Sequence, residues 1–101
     1  MAYISHIFYY IKNIIEQEIN MTEPQFKRLE KEVEATLKNL TKNNTIKFAL
    51  TWLAHDVFNE SLGLIEAQIK RIAKRKGFNL VYLRSTDASG KVVNLDAWME
   101  D

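Results

Sequence analysis

Gly77 divides the C-terminal part of this chain into two hydrophobic rhythms, and that change of period constrains the fold more than any other feature. Before it, Ile65, Ile69 and Ile72 recur at the spacing of one helix face, joined by Leu62 and Ala73. After it, Phe78, Leu80 and Tyr82 alternate with Asn79, Val81 and Leu83, the two-residue period of a strand. "STDASGK", residues 85–91, has the composition of a hairpin loop, and Val92 to Trp98 reads as the return strand with Val93, Leu95 and Ala97 on one face. The segment therefore predicts a helix over about 62–76, a glycine at its C′ position and a β-hairpin. Ser61 is the candidate N-cap of that helix.

The preceding residues read as three helices, with a polar break at "TKNNT", residues 41–45, and a turn at "NESLG", residues 59–63. Ile4, Ile7, Ile11 and Ile14, widened by Phe8 and Ile15, predict an apolar helix over residues 3–19. So apolar a stripe needs cover, from the chain's own core, from a second copy or from a membrane surface. The expected cover is a second copy, which makes Ile4, Ile7, Phe8, Ile11 and Ile14 a dimerisation arm. Thr22 and Gln25 form a capping box, with Pro24 in the first turn and Met21 and Phe26 as a hydrophobic staple. Phe26, Leu29, Val33, Leu37 and Leu40 give that second helix its stripe, and Glu34 with Lys38 forms an i, i+4 surface pair. A third helix is expected from Thr45 to Phe58, with Ile46, Ala49, Leu50, Leu53 and Val57 inward and Phe48 and Trp52 as a second apolar edge. The expectation is one α+β domain over residues 1–101, mainly helical, of about four helices and a C-terminal hairpin.

Charge is unevenly placed. The net charge is +1, but residues 62–93 hold seven Lys or Arg against two Asp or Glu, a local +5. Residues 94–101 hold three acids and no Lys or Arg. A basic segment of this kind attracts phosphate. The plainer explanation is a solvated face, because Lys74, Arg75 and Lys76 in a last helical turn also complement the helix dipole.

The order of these parts resembles the winged helix-turn-helix over about residues 45–98. Leu53-Ala54 stands on the first helix of the motif, the Ile-rich helix follows as recognition helix, Gly77 ends it, and the hairpin is the wing. The connection "HDVFNESLGL" is a residue or so longer than the family's usual turn. The resemblance implies double-stranded DNA as partner, with the helix at 62–76 in the major groove and a wing at 84–92. On a helical wheel Gly63, Ala67, Lys70, Arg71 and Lys74 oppose the isoleucines, so small residues would approach the groove and cations would meet its walls. Lys70 and Arg71 are also candidates for guanine contacts. Arg75, Arg84 and Lys91 complete the expected DNA-binding set, with Arg84 and Lys91 touching backbone. Glu66 lies at the edge of this face and would repel phosphate unless it reads a cytosine amine. A dimer would present two such helices to a pseudo-palindromic site.

Other chemistries find little support. No cysteine is present, which removes disulfides and thiolate metal sites and fits a cytoplasmic setting. His6 and His55 lack carboxylates at metal-ligand spacing, and His55-Asp56 with Ser61 is not a triad pattern. Gly90 in "ASGK" lacks the companions of a phosphate loop. Trp52, Trp98 and Tyr82 read as core. No enzyme, cofactor or metal is expected. The start, "MAYISHIFYYI", has no basic region before its apolar run and is too short to span a bilayer. Met21 opens "MTEPQF", which could itself be a natural start, so whether residues 1–20 are native is open. The expected function is a small regulator of transcription or replication. The rival is a protein-binding inhibitor or adaptor of the sort that mobile elements such as phages encode, which the length and modest total charge fit as well. An interfacial membrane helix at 3–19 is a weaker third reading, because it carries few cations.

Overall fold

The computed structural model describes residues 21–100. The Ile-rich segment 3–19, with Ile4, Ile7, Phe8, Ile11, Ile14 and His6, lies outside them, and so does the dimer arm expected there. The first described helix, α1 (Glu23–Leu37), begins as its sequence predicts. The Gln25 N–H donates to Thr22 Oγ1 at 3.3 Å, and the Thr22 N–H donates to Gln25 Oε1 at 3.0 Å. Two orphan donors are thereby satisfied reciprocally. Leu29, Val33 and Leu37 are buried along its inner face, with Phe26 and Leu40 half-buried beside them.

The segment expected as a third helix from Thr45 divides instead into a strand and a helical turn. Strand β1 (Ile46–Phe48) comes first, then a π-helical turn, π1 (Trp52–Val57). Burial alternates through Ile46, Phe48 and Leu50, while Lys47 and Ala49 are exposed. Ile46 and Leu50 are four apart, so they satisfy a helix period and a strand period alike. Pairing decides between them: Ile46, Lys47 and Phe48 stand opposite Ala97, Asp96 and Leu95, a partner strand about fifty residues away. In π1 the Phe58 N–H donates to the Leu53 carbonyl at 3.0 Å, and the Thr51 hydroxyl donates to the Val92 carbonyl at 2.9 Å. Leu53 and Ala54 point inward, but Trp52 is 50% exposed and is not part of the expected apolar edge.

Helix α2 (Leu62–Arg75) follows, with Ser61 Oγ accepting from the Leu64 N–H at 3.2 Å. It stops at Gly77, whose φ of +90° suits a residue without a Cβ. The Phe78 N–H donates to Ala73 O and the Gly77 N–H to Lys74 O, the bonding of a Schellman motif. The hairpin consists of β2 (Leu80–Thr86) and β3 (Val92–Met99), with an irregularity at Ser85/Thr86. Asp87 organises its loop, one carboxylate oxygen accepting from the Ser89 and Lys91 N–H groups and from the Ser89 hydroxyl. The Glu100 N–H donates to Asn79 O at 3.1 Å, next to the start of β2.

The sheet is antiparallel, in the order β1-β3-β2. Three helices and three strands among the described residues make an α+β arrangement, against the expected four helices and a two-stranded hairpin. The core lies where α1, α2 and the sheet meet. Ile65, Ile69, Ile72 and Ala73 of α2 are fully buried with Leu29 and Val33 of α1 and with Leu95 and Ala97 of β3. No helix among the described residues is long and apolar enough to cross a membrane.

This packing separates two apolar residues of similar size. Ile69→Ala empties space in the core and is expected to cost about 2–5 kcal/mol of unfolding free energy. Leu83→Ala, at a side chain 60% exposed, is expected to stay within about 0.5 kcal/mol of the parent. Urea denaturation of the two variants checks both.

Candidate nucleic-acid interface

Burial of the isoleucines sets the direction of every other side chain on α2. Residues 100° apart around a helix cannot all face inward, so the polar ones fall into separate stripes. Gly63, Ala67, Lys70, Arg71 and Lys74 are all exposed. None of Lys70, Arg71 and Lys74 forms an ion pair with a described residue. Lys70 leans toward the hairpin, its Nζ 5.2 Å from the centre of the Tyr82 ring. Burial pushes the Tyr82 phenol above its ordinary pKa, which keeps it neutral beside that cation. Lys70 and Lys74 border a shallow cavity with Phe78, Asn79, Leu80, Tyr82 and the acidic Glu100.

Three of the remaining cations of the basic segment, Arg75, Lys76 and Arg84, are engaged. Arg75 pairs with Glu30 of α1 at 2.9 Å, and its guanidinium lies 5.4 Å from the centre of the Phe26 ring. Lys76 pairs with Glu34, where the sequence spacing had matched Glu34 to Lys38. The Lys76 hydrogen bond and charge hold the Glu34 carboxyl below the ordinary glutamate value, with Lys38 contributing less. Arg75 and Lys76 thus bind the end of α2 to α1. Lys91 is exposed in the hairpin loop, with its backbone N–H on Asp87. Hydrogen bonds from Ser89 and from the Lys91 backbone keep the Asp87 carboxyl low.

Glu66 differs most from its expected role. It does not stand at the edge of the basic face as an open repulsive charge. Its side chain is only 7% exposed and accepts two hydrogen bonds from Arg84 of β2, from Nε at 2.8 Å and from Nη2 at 2.6 Å. The hydrogen bond from Arg84 lowers the Glu66 carboxyl below 4.5 and outweighs the burial that raises it; Lys70 lowers it further. No local spacing rule pairs residues 18 positions apart, and the hairpin alone brings them together. Sequence reasoning also missed Gln68, whose Oε1 is buried, and Asp96, whose Oδ1 is buried on β3, neither atom with a hydrogen-bond partner among the described residues.

Residues 58–61, four positions, connect π1 to α2, and Asn59 adopts a positive φ of 52° within them. Asparagine tolerates that conformation better than most residues. His55 is exposed on π1. No group of three or more potential metal ligands occurs among the described residues. Comparison with family models, with curated proteins and with solved structures gave no match.

The Glu66–Arg84 pair has a consequence in acid. A carboxylate whose folded pKa is depressed stabilises the protein above its unfolded value, and that contribution disappears as pH falls through the folded value. For Glu66 the loss begins near the ordinary value of 4.5 and continues below it. Urea midpoints measured from about pH 7 to about pH 3 are expected to fall less steeply below that value for Glu66→Gln than for the parent. Glu34 and Asp87 keep part of the slope in both proteins, because their carboxyls are depressed too.

Proposed function

We propose that the chain is a small DNA-binding regulator of winged-helix type, with α2 entering the major groove and the β2–β3 hairpin serving as a wing. The observation that carries the reading is the division of α2 itself. Ile65, Ile69 and Ile72 are buried, while Lys70, Arg71 and Lys74 stand exposed with no acidic partner among the described residues. Small residues precede those cations, because Gly63 and Ala67 are exposed on the same helix. Such a face allows close approach to a groove and then charge at its walls. Two neighbouring features support it. The link from π1 to α2 is four residues long, within the range of helix-turn-helix turns. A hairpin follows directly after the glycine that stops α2, with Lys91 exposed in its loop.

A second reading, a protein-binding inhibitor or adaptor, draws on a different observation. Leu83 is 60% exposed and Val81 lies on the same side of β2, and an apolar strand surface suits a protein partner better than a phosphate backbone. The expected homodimer rests on residues 1–20, outside the described segment, and light scattering at micromolar concentration tests it directly.

Fluorescence anisotropy with labelled duplex DNA over a salt series separates the two readings. A DNA binder shows a log affinity that falls linearly with log salt. Lys74→Ala is expected to weaken binding to all duplexes alike and to reduce that slope by roughly 0.9, one phosphate's worth of released counterion. Lys91→Ala is expected to behave in the same way. Arg71→Ala is expected to cost about 1–3 kcal/mol on a preferred site and to relax preference at one position. A folded Lys70/Arg71/Lys74 triple alanine variant that keeps full function in its biological setting would favour the protein-binding reading.

A further inference from the structure

Glu66 poses a problem for any surface that meets phosphate. A carboxylate on the helix that approaches DNA repels the backbone, so electrostatics alone makes it a liability. The geometry points to a compensating role. Of the five N–H donors of a guanidinium, Arg84 spends two on Glu66, from Nε and Nη2. Both Nη1 donors and the second Nη2 donor have no partner among the described residues. The Arg84 side chain is 62% exposed while that of Glu66 is 7% exposed, so the carboxylate sits beneath and the guanidinium faces solvent. Lys70, one helical turn from Glu66, is also exposed, and the Tyr82 ring over which it lies belongs to the same strand as Arg84.

We infer that Glu66 is a positioning residue, which holds Arg84 as a fixed phosphate-gripping fork at the seam between α2 and the hairpin. This rests on the DNA-binding reading and specifies it further. An unsupported arginine on a surface samples many rotamers and loses that freedom when it grips a phosphate. An arginine clamped through two hydrogen bonds has lost it already, and its planar fork is aimed before the ligand arrives. The pair also fixes the hairpin against the helix, so a phosphate on Arg84 and groove contacts from Arg71 and Lys74 are held in one register. The charge of Glu66 is offset by Arg84, and its burial keeps it behind the guanidinium.

The sign of one substitution tests this. If Glu66 only repels phosphate, Glu66→Gln tightens DNA binding. If it positions Arg84, Glu66→Gln weakens binding, by roughly three- to tenfold for a side chain that must be ordered anew. In an Arg84→Ala background the same change is then expected to be neutral or slightly favourable, because no fork remains to be aimed. Arg84→Lys keeps the charge and loses the fork, so affinity is expected to fall with the salt slope unchanged. Circular dichroism melts establish that each variant is folded, and Arg84→Lys supplies the test by itself if Glu66→Gln is not.

The anisotropy titrations use the full chain and a random duplex. Weaker binding by Glu66→Gln in the parent, absent in the Arg84→Ala background, supports the inference. Equal losses in both backgrounds overturn it in favour of a purely structural role, and unchanged or tighter binding by Glu66→Gln overturns it outright. In the fallback, Arg84→Lys binding as well as the parent overturns it. In each of these cases Lys74→Ala still weakens binding, so the DNA-binding reading survives. A parent protein that binds no duplex at any salt concentration removes that reading, and this inference with it.

Discussion

The buried face of α2 governs the direction of nearly every charge in the C-terminal half of the molecule. Ile65, Ile69, Ile72 and Ala73 lie in contact with the core and leave no rotational freedom to the helix. Turning α2 by a single residue would carry a lysine inward at a cost far above the gain of any surface contact. The fixed rotation sends Arg75 and Lys76 toward α1, Glu66 toward β2, and Lys70, Arg71 and Lys74 to solvent. Gly77 matters to the same end. Its positive φ lets the chain leave the helix and return as a strand beside it, which brings Arg84 over Glu66.

This geometry sorts a basic segment into cations that hold the fold and cations that face outward. Arg75 and Lys76 have acidic partners on α1, and Arg84 has one on α2 itself. Exposed pairs of the first kind contribute little to stability in water. Their effect is to fix the end of α2 against its neighbour. The local charge of +5 counted along residues 62–93 therefore overstates what a partner would meet, because part of it is neutralised inside the molecule. What remains is narrower and better defined: one helix face, a fork at the seam and a lysine in the hairpin loop.

Helices α1 and α2 were legible because their signals are local. A capping box, a serine cap, a 3.6-residue stripe and a terminal glycine are all written within one element. The hairpin was legible for the same reason, since its two strands adjoin in sequence. Strand β1 was not. Ile46 and Leu50 fit either period, Phe48 fits only the two-residue one, and the partner that makes Ile46–Phe48 a strand lies beyond the far end of α2. Trp52 was misjudged with them, because its assignment to an apolar edge assumed a regular helix. The candidate face on α2 followed from the wheel, while the engagement of Arg75 and Arg84 depends on contacts between distant elements. Glu66 shows the limit most clearly: its position on the wheel was readable, but its partner required the fold.

On the proposed reading, the outward face of α2 is the surface that meets nucleic acid. The most direct measurement is a map of amide chemical-shift changes while a short random duplex is titrated into the isotopically labelled chain. If that surface binds DNA, the largest changes fall on Gly63, Ala67, Lys70, Arg71 and Lys74, continue at Arg84 and Lys91, and diminish as salt is raised. Changes confined to Val81, Leu83 and Trp52, or no changes at low salt, would contradict it.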